Sequence, residues 1–247
     1  MPADRPPLEI STLADRPHLA GAELDAGDWP EFMRHNRVSE AYFWRTLDTF
    51  PTTCLVATAP DGTVVADAHA VQLAARPALP TGGWEQTAVW AFADAERGVR
   101  ADTTCALDIS VAQPYQRQGV AAAMLAALRQ AAADLGHRTL LAPVRPSRKS
   151  AEPHTSMRAY AARTRADGLP ADPWLRTHVR MGGEIVGIAP ASWLIAGSLD
   201  EWRRWTSLPF DTAGPIDVPG ALVPVHCDPA AGTATYTEPN VWVRHRL

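Results

Sequence analysis

Between Leu107 and Leu135 the chain sets an apolar strand, a polar turn with a single glycine and an alanine-rich helix end to end. The turn, Gln116-Arg117-Gln118-Gly119-Val120-Ala121, lies where a helix begins. Backbone N–H groups without partners and the positive end of the helix dipole make such a turn a cradle for pyrophosphate. Gly119 carries no side chain to hold a phosphate away. Ala121, Ala122 and Ala123 keep the first helical turn thin. Other groups able to do chemistry lie around this turn. Asp108 is a carboxylate on the preceding strand, and His178 is an imidazole that can act as acid or base near neutrality. The stretch from residue 145 to 178 mixes Arg145, Asp172 and Arg176 with histidine and tryptophan.

Gln116-x-x-Gly119-x-Ala121 after Asp108-Ile109-Ser110-Val111, with Pro114-Tyr115 between, resembles the phosphate-loop signature of the GNAT family of N-acetyltransferases. The resemblance covers about residues 50–200. It implies an α/β (α+β) fold with a mixed, mostly antiparallel central sheet, splayed at an acyl-CoA site, and with helices on both faces. It implies acetyl-CoA or another acyl-CoA as co-substrate. Backbone amides at Ser110 and Val111 would hold the pantetheine arm and the acyl carbonyl, and Gln116, Arg117, Gln118, Gly119, Val120 and Ala121 would hold the pyrophosphate. Arg117 either adds a direct charge contact or is a solvated surface arginine. The family's usual thiolate acid is a tyrosine four residues before a Gly-Phe pair. Matching Gly182-Gly183 to that pair puts His178 in its place, a departure from the pattern; the alternative for His178 is a packing histidine. Asp108 would accept the amine proton or bind a cationic substrate, unless a neighbouring group satisfies it. By the same resemblance, residues 145–178 supply much of the acceptor pocket, with Arg145, Asp172 and Arg176 as contacts.

The leading reading is transfer of an acyl group to the amine of a small molecule by direct attack on the thioester. Two other readings remain open: a protein or peptide N-acetyltransferase, and a non-catalytic acyl-CoA-binding sensor. A metal is not expected, because the histidines and cysteines show no ligand spacing. With 247 residues, 46% of them hydrophobic, the chain can bury a sizeable core. The net charge of −4 and the lack of a long basic run exclude a nucleic-acid partner. Three scattered cysteines fit a reducing compartment. The proline-rich start is unlike a signal peptide, and no apolar run approaches the ~20 residues of a membrane span. A cytoplasmic protein is expected, and a homodimer is compatible with this.

The elements that must position these groups follow from periodicity and turn residues. A helix is expected over 28–48, and a hairpin of strands 53–58 and 63–73 around Pro60-Asp61-Gly62. Helix 84–98, the central strand 104–111 and helix 119–135 come next, the last with Val120, Met124, Leu128, Ala131 and Leu135 as its buried stripe. Strand 139–144, helices 153–165 and 173–181, strands 184–188 and 192–196, and helix 199–205 complete the expected core. A tail from 215 to 245 reads as extra C-terminal strands, so the chain is taken as one enlarged domain over 1–247 with an extension from about 205.

Overall fold

The computed structural model describes residues 8–22, 24–27 and 29–247. In chain order the elements are β1 (Glu9–Thr12), α1 (Arg37–Tyr42), α2 (Thr46–Thr49), β2 (Leu55–Thr58), β3 (Val64–Leu73), α3 (Gly83–Glu96), β4 (Thr103–Val111) and α4 (Val120–Asp134). They continue with β5 (Thr139–Val144), α5 (Met157–Ala161), α6 (Pro173–Arg180), β6 (Glu184–Ser198), α7 (Leu199–Thr206), β7 (Gly214–Ile216), β8 (Val225–Asp228) and β9 (Thr233–Arg246). The sheet runs β1-β2-β3-β4-β5-β9-β8-β7, with β6 also on β9. All pairings are antiparallel except β4 with β5.

Helices cover both faces of the sheet. The face under α4 buries Met124, Leu125 and Leu128 completely, against Ala66, Ala68, Leu140, Val241 and Val243. Each large side chain so buried contributes about 1.5–3 kcal/mol. Leu125 and Ala132 complete the helix's buried face, while Leu135 points outward at 41% exposure, because Gly136 (φ +77°) turns the chain away just after it. On the other face α3 presses Ala91 and Phe92 onto Phe50, Val71, Cys105 and Trp242. Gly83 (φ +43°) lets α3 start directly against Ser192 and Ala189 of β6, leaving no room for a Cβ. That close approach aims Trp84 at β4, where its Nε1 donates to the Leu107 carbonyl (2.9 Å).

Several expected elements change for identifiable reasons. The helix over 28–48 is broken into a 3-10 turn (Glu31–Arg34), α1 and α2, because the Asn36 side chain accepts from Ser39 N and starts a new helix. The helix over 153–165 shrinks to α5. The Lys149 ammonium holds the carbonyls of Glu152 and Pro153, and Ser156 caps the first turn. The two strands 184–188 and 192–196 are one strand, β6, with a register irregularity between Ala189 and Trp193. Pro190 has no N–H for the ladder there, and Ala191 N turns aside to Thr81 O.

The largest difference lies in the tail. β9 sits between β5 and β6, pairing Val241–Arg246 with Val144–Thr139 and running along β6 from Arg244 to Thr233. It is an inner strand of the sheet, with Val241 and Val243 in the core under α4, so no boundary separates the core from residues after 205. The rest of the tail forms its own cluster, with Trp202, Phe210, Val225 and Tyr236 packed on Phe32 and Met33. That cluster anchors the 3-10 turn and thereby fixes Met33 and Arg34 at the mouth of the cavity described next.

Candidate active site

β4 and β5 pair only from Thr103–Cys105 to Thr139–Leu141 and then diverge. Beyond Cys105, the edge of β4 that faced β5 opens into a cavity of about 780 Å³. On its other edge β4 stays paired with β3, but the register jumps: His69 faces Asp108 while Ala70 faces Ala106, so Leu107 is an extra residue. Such a bulge re-aims the side chains that follow. Leu107 packs under α3, while Ala106, Ile109 and Val111 pack under α4. Asp108 and Ser110 therefore join Leu107 on the α3 face, with their register partners His69 and Asp67 of β3.

At the far end of β4 the chain turns through Gln113–Tyr115 into the loop before α4. Arg117 (φ +58°) and Gly119 (φ +84°) both hold left-handed backbone. As a result, the backbone amides from Arg117 to Ala122 point past the helix start and find no acceptor among the described residues. Gln116 to Gly119 are exposed, and Val120 and Ala121 pack their side chains into the core, leaving only their N–H groups to the loop. Gln116 has a tying role: its Nε2 donates to Val111 O (3.0 Å) and to Ala26 O (2.9 Å), joining the loop to β4 and to the N-terminal arm. Gln118 likewise donates to Pro114 O. The loop thus offers an anion main-chain donors and the exposed Arg117 at the N-terminus of a four-turn helix.

Within the cavity Asp108 accepts from Ser110 Oγ (2.6 Å). Burial raises its carboxyl above the ordinary range, and the Ser110 hydroxyl partly offsets this. Asp67, which sequence reasoning missed, shares the cavity wall. Burial, then the neighbouring Asp108, push Asp67 up to about 7. Its signal in the sequence was an acid alternating with alanines (Ala66, Ala68) on a strand that otherwise reads as core. The walls around the two carboxylates are aromatic: Phe43, Trp44, Trp84 and Trp193.

His178 also lines the cavity, from the α6 side beside Trp174. Its Nδ1 lies 3.0 Å from His245 Nε2, and both rings are buried. Burial pushes His178 down to about 3, with His245 adding to the effect, and burial likewise pushes His245 down to about 4. Both rings are neutral at pH 7, so His178 does not titrate near neutrality in the free protein. Acid should therefore weaken the fold. Unfolded imidazoles take up protons near pH 6.5, while the folded rings refuse them until about pH 4 or below. Stability present above pH 6.5 is lost as the pH falls, on the order of 2 kcal/mol per ring by pH 5. His245→Gln is expected to reduce the drop in melting temperature between pH 7 and pH 5; an unchanged drop would contradict the assignment. Asp67 acts with the opposite sign, losing stability as the pH rises toward 7, and its contribution cancels in that comparison.

The three expected acceptor contacts divide. Arg145 lines the cavity, but its Nε donates to both oxygens of Glu238 (3.1 and 3.0 Å) and its Nη2 to Gly220 O. Glu238 in turn accepts from Tyr236 Oη and Asn240 Nδ2. Asp172 and Arg176 do not line the cavity. Asp172 caps α6 through Trp174 N and Leu175 N, and accepts from Arg148 N and Tyr160 Oη. Arg176 Nη1 donates to the carbonyls of Pro170 and Ala171. Both hold the loop before α6, a task that an N-cap acid and a carbonyl-bonded arginine commonly perform. Of residues 145–178, the cavity takes Arg145, Trp174 and His178.

Residues 22–160 match the acetyltransferase (GNAT) family. Over 276 aligned positions the chain is 32% identical to the arginine N-acetyltransferase avaD of Aspergillus versicolor, covering 98% of this chain and 95% of that protein. Among solved structures, the loading GNATL domain of CurA from Lyngbya majuscula superposes with a TM-score of 0.61 at 15% identity, covering 97% of this chain and 98% of that one. The GphF GNAT-like decarboxylase in complex with isobutyryl-CoA gives 0.53 at 20% identity, with the same coverage. These two structures bear on the fold alone. With a sheet parted at β4 and β5, an open amide ladder at the start of α4 and a relative matched over nearly its whole length, the chain belongs to the GNAT family of N-acetyltransferases.

Proposed function

We propose that the protein transfers an acetyl group from acetyl-CoA to the amine of a small cationic molecule of the arginine type. The observation that carries the reading is the cavity at the parting of β4 and β5. It holds Asp67 and Asp108 on the α3 face and runs along β4, whose far end leads into the loop where the amides of Arg117–Ala122 find no acceptor among the described residues. In this reading the amides of the loop and Arg117 bind the pyrophosphate, and the backbone at Ser110 and Val111 holds the pantetheine arm. The sulfur and acyl carbon lie beside the bulge at Leu107. The relative named for arginine supports a guanidino amino acid as the acceptor.

The acceptor arrives as an ammonium ion and gives one proton to Asp108. Its nitrogen then attacks the thioester carbonyl, and the C–S bond breaks as the amide forms. The thiolate takes the second proton, the third stays on the amide nitrogen, and the proton on Asp108 passes to solvent. The thiolate's proton comes from the attacking nitrogen; His178 steadies the leaving thiolate with a hydrogen bond from a neutral Nε2–H, the tautomer in which its Nδ1 accepts from His245 Nε2, and keeps its own proton. The N-terminal arm supports a small acceptor over a peptide, because Gly21, Leu24, Gly27, Trp29 and Arg34 contribute to the cavity wall where an open groove would be needed. The reading is tested by thiol release from acetyl-CoA across a panel of arginine, other cationic amines, neutral amines and peptides. The expected kcat/KM is highest for arginine-like amines. A peptide preference would favour the protein-acetyltransferase reading, and binding without turnover would favour the sensor.

A further inference from the structure

Asp67 is a second carboxylate in a site where one is enough to take a proton. It and Asp108 project from neighbouring strands on the same face of the sheet and line the same cavity. Ser110 Oγ satisfies one oxygen of Asp108, whereas Asp67 Oδ1 is buried and has no hydrogen-bond partner among the described residues. Among the described residues neither acid forms an ion pair. Of the two arginines lining the cavity, Arg145 is already committed to Glu238 and Arg34 pairs with Glu31 (3.9 Å), and His69, which faces Asp108 across the strands, is kept neutral by burial and bonded to Thr46 Oγ1. Two carboxylates this close, partly out of water and without a counter-ion, repel each other and favour any ligand that brings a positive charge. The aromatic rings around them add to the attraction for a cation.

We propose that Asp67 and Asp108 form a two-carboxylate seat that reads the charge of the reacting nitrogen, gripping the ammonium of the acceptor and releasing the uncharged amide that replaces it. The inference rests on the acyl-transfer reading above. In it Asp67 is a positioning residue that makes the seat selective, and Asp108 takes the proton. Acetylation converts a cation into a neutral amide, so the product loses what held the substrate. Product release then follows from the chemistry, without any movement of the fold. The seat would also disfavour acceptors whose nitrogen is already neutral.

The test is Asp67→Asn, an isosteric change that removes the charge. Its melting temperature at pH 7.5 should not fall, since a buried repulsion is removed; if the variant fails to fold, Asp67→Ser replaces it. L-Arginine and Nα-acetyl-L-arginine are titrated by calorimetry into wild type and variant, each saturated with coenzyme A. The variant is expected to bind L-arginine roughly tenfold or more weakly, as for removing one charge-assisted contact, and Nα-acetyl-L-arginine within about twofold of wild type. Equal weakening of both would place the guanidinium on the pair and overturn the proposal. So would unchanged arginine binding, or wild type that binds neither compound. Coenzyme A affinity, measured first in the same cell, separates failure of the seat from failure of the acyl-CoA reading.

Discussion

Gly119→Asp is expected to lower coenzyme A affinity by roughly 10²–10³-fold, a loss of about 3–4 kcal/mol. The position stands at the centre of the open amides from Arg117 to Ala122, so a carboxylate there competes with phosphate for the same donors and repels it. A Cβ at this position meets nothing within 4 Å, so the variant should fold and the loss should belong to the site. The left-handed backbone (φ +84°) adds some strain for any side chain. Gly119→Asn separates the two effects, because asparagine tolerates that conformation and brings no charge. Calorimetry should find the Asn variant much closer to wild type. Wild-type affinity in a folded Asp variant would remove the loop from the coenzyme site.

Asp108→Asn is expected to reduce kcat by roughly 10²–10⁴-fold, the range for losing a proton acceptor in the transition state. The amide keeps the bond with Ser110, so the local structure should persist. The melting temperature should hold or rise, since Asp108 and Asp67 no longer repel each other. Coenzyme A binding should change little, because the phosphate loop lies at the far end of β4. Steady-state kinetics with acetyl-CoA and L-arginine provide the check. Turnover within about threefold of wild type would show that the proton leaves by another route.

The strand, loop and helix proposed to hold the cofactor were legible in the sequence because local chemistry encodes them. A glycine at a helix start, an apolar strand before it and an alanine-rich turn after it are consecutive residues, and α4 and β4 formed where they pointed. The acceptor end was not legible, because it is assembled from residues far apart in the chain. Asp67 reaches Asp108 only through the register of β3 on β4. Glu238 reaches Arg145 only because β9 inserts between β5 and β6, a pairing that no local pattern announces. Asp172 and Arg176 had the right chemistry, but nearer demands, a helix cap and two carbonyls, had already taken them. His178 was placed by its spacing from Gly182-Gly183, yet its neutral state comes from burial, with His245, 67 residues away in the chain, adding to the effect. The break of the 28–48 helix at Asn36 was in principle readable as a cap, since Asn36 precedes Ser39 at the spacing such a bond requires.

The central claim is that acetyl-CoA is bound in the gap between β4 and β5 and attacked there by an amine on the α3 face. The most direct measurement incubates the protein with acetyl-CoA carrying a ¹³C-labelled carbonyl and L-arginine, following released thiol and product mass together. The account predicts one labelled Nα-acetylarginine for each coenzyme A released, with both processes suppressed by Asp108→Asn. Thiol release without acetylated product, or acetylated product formed as fast by the Asp108→Asn variant, would contradict it.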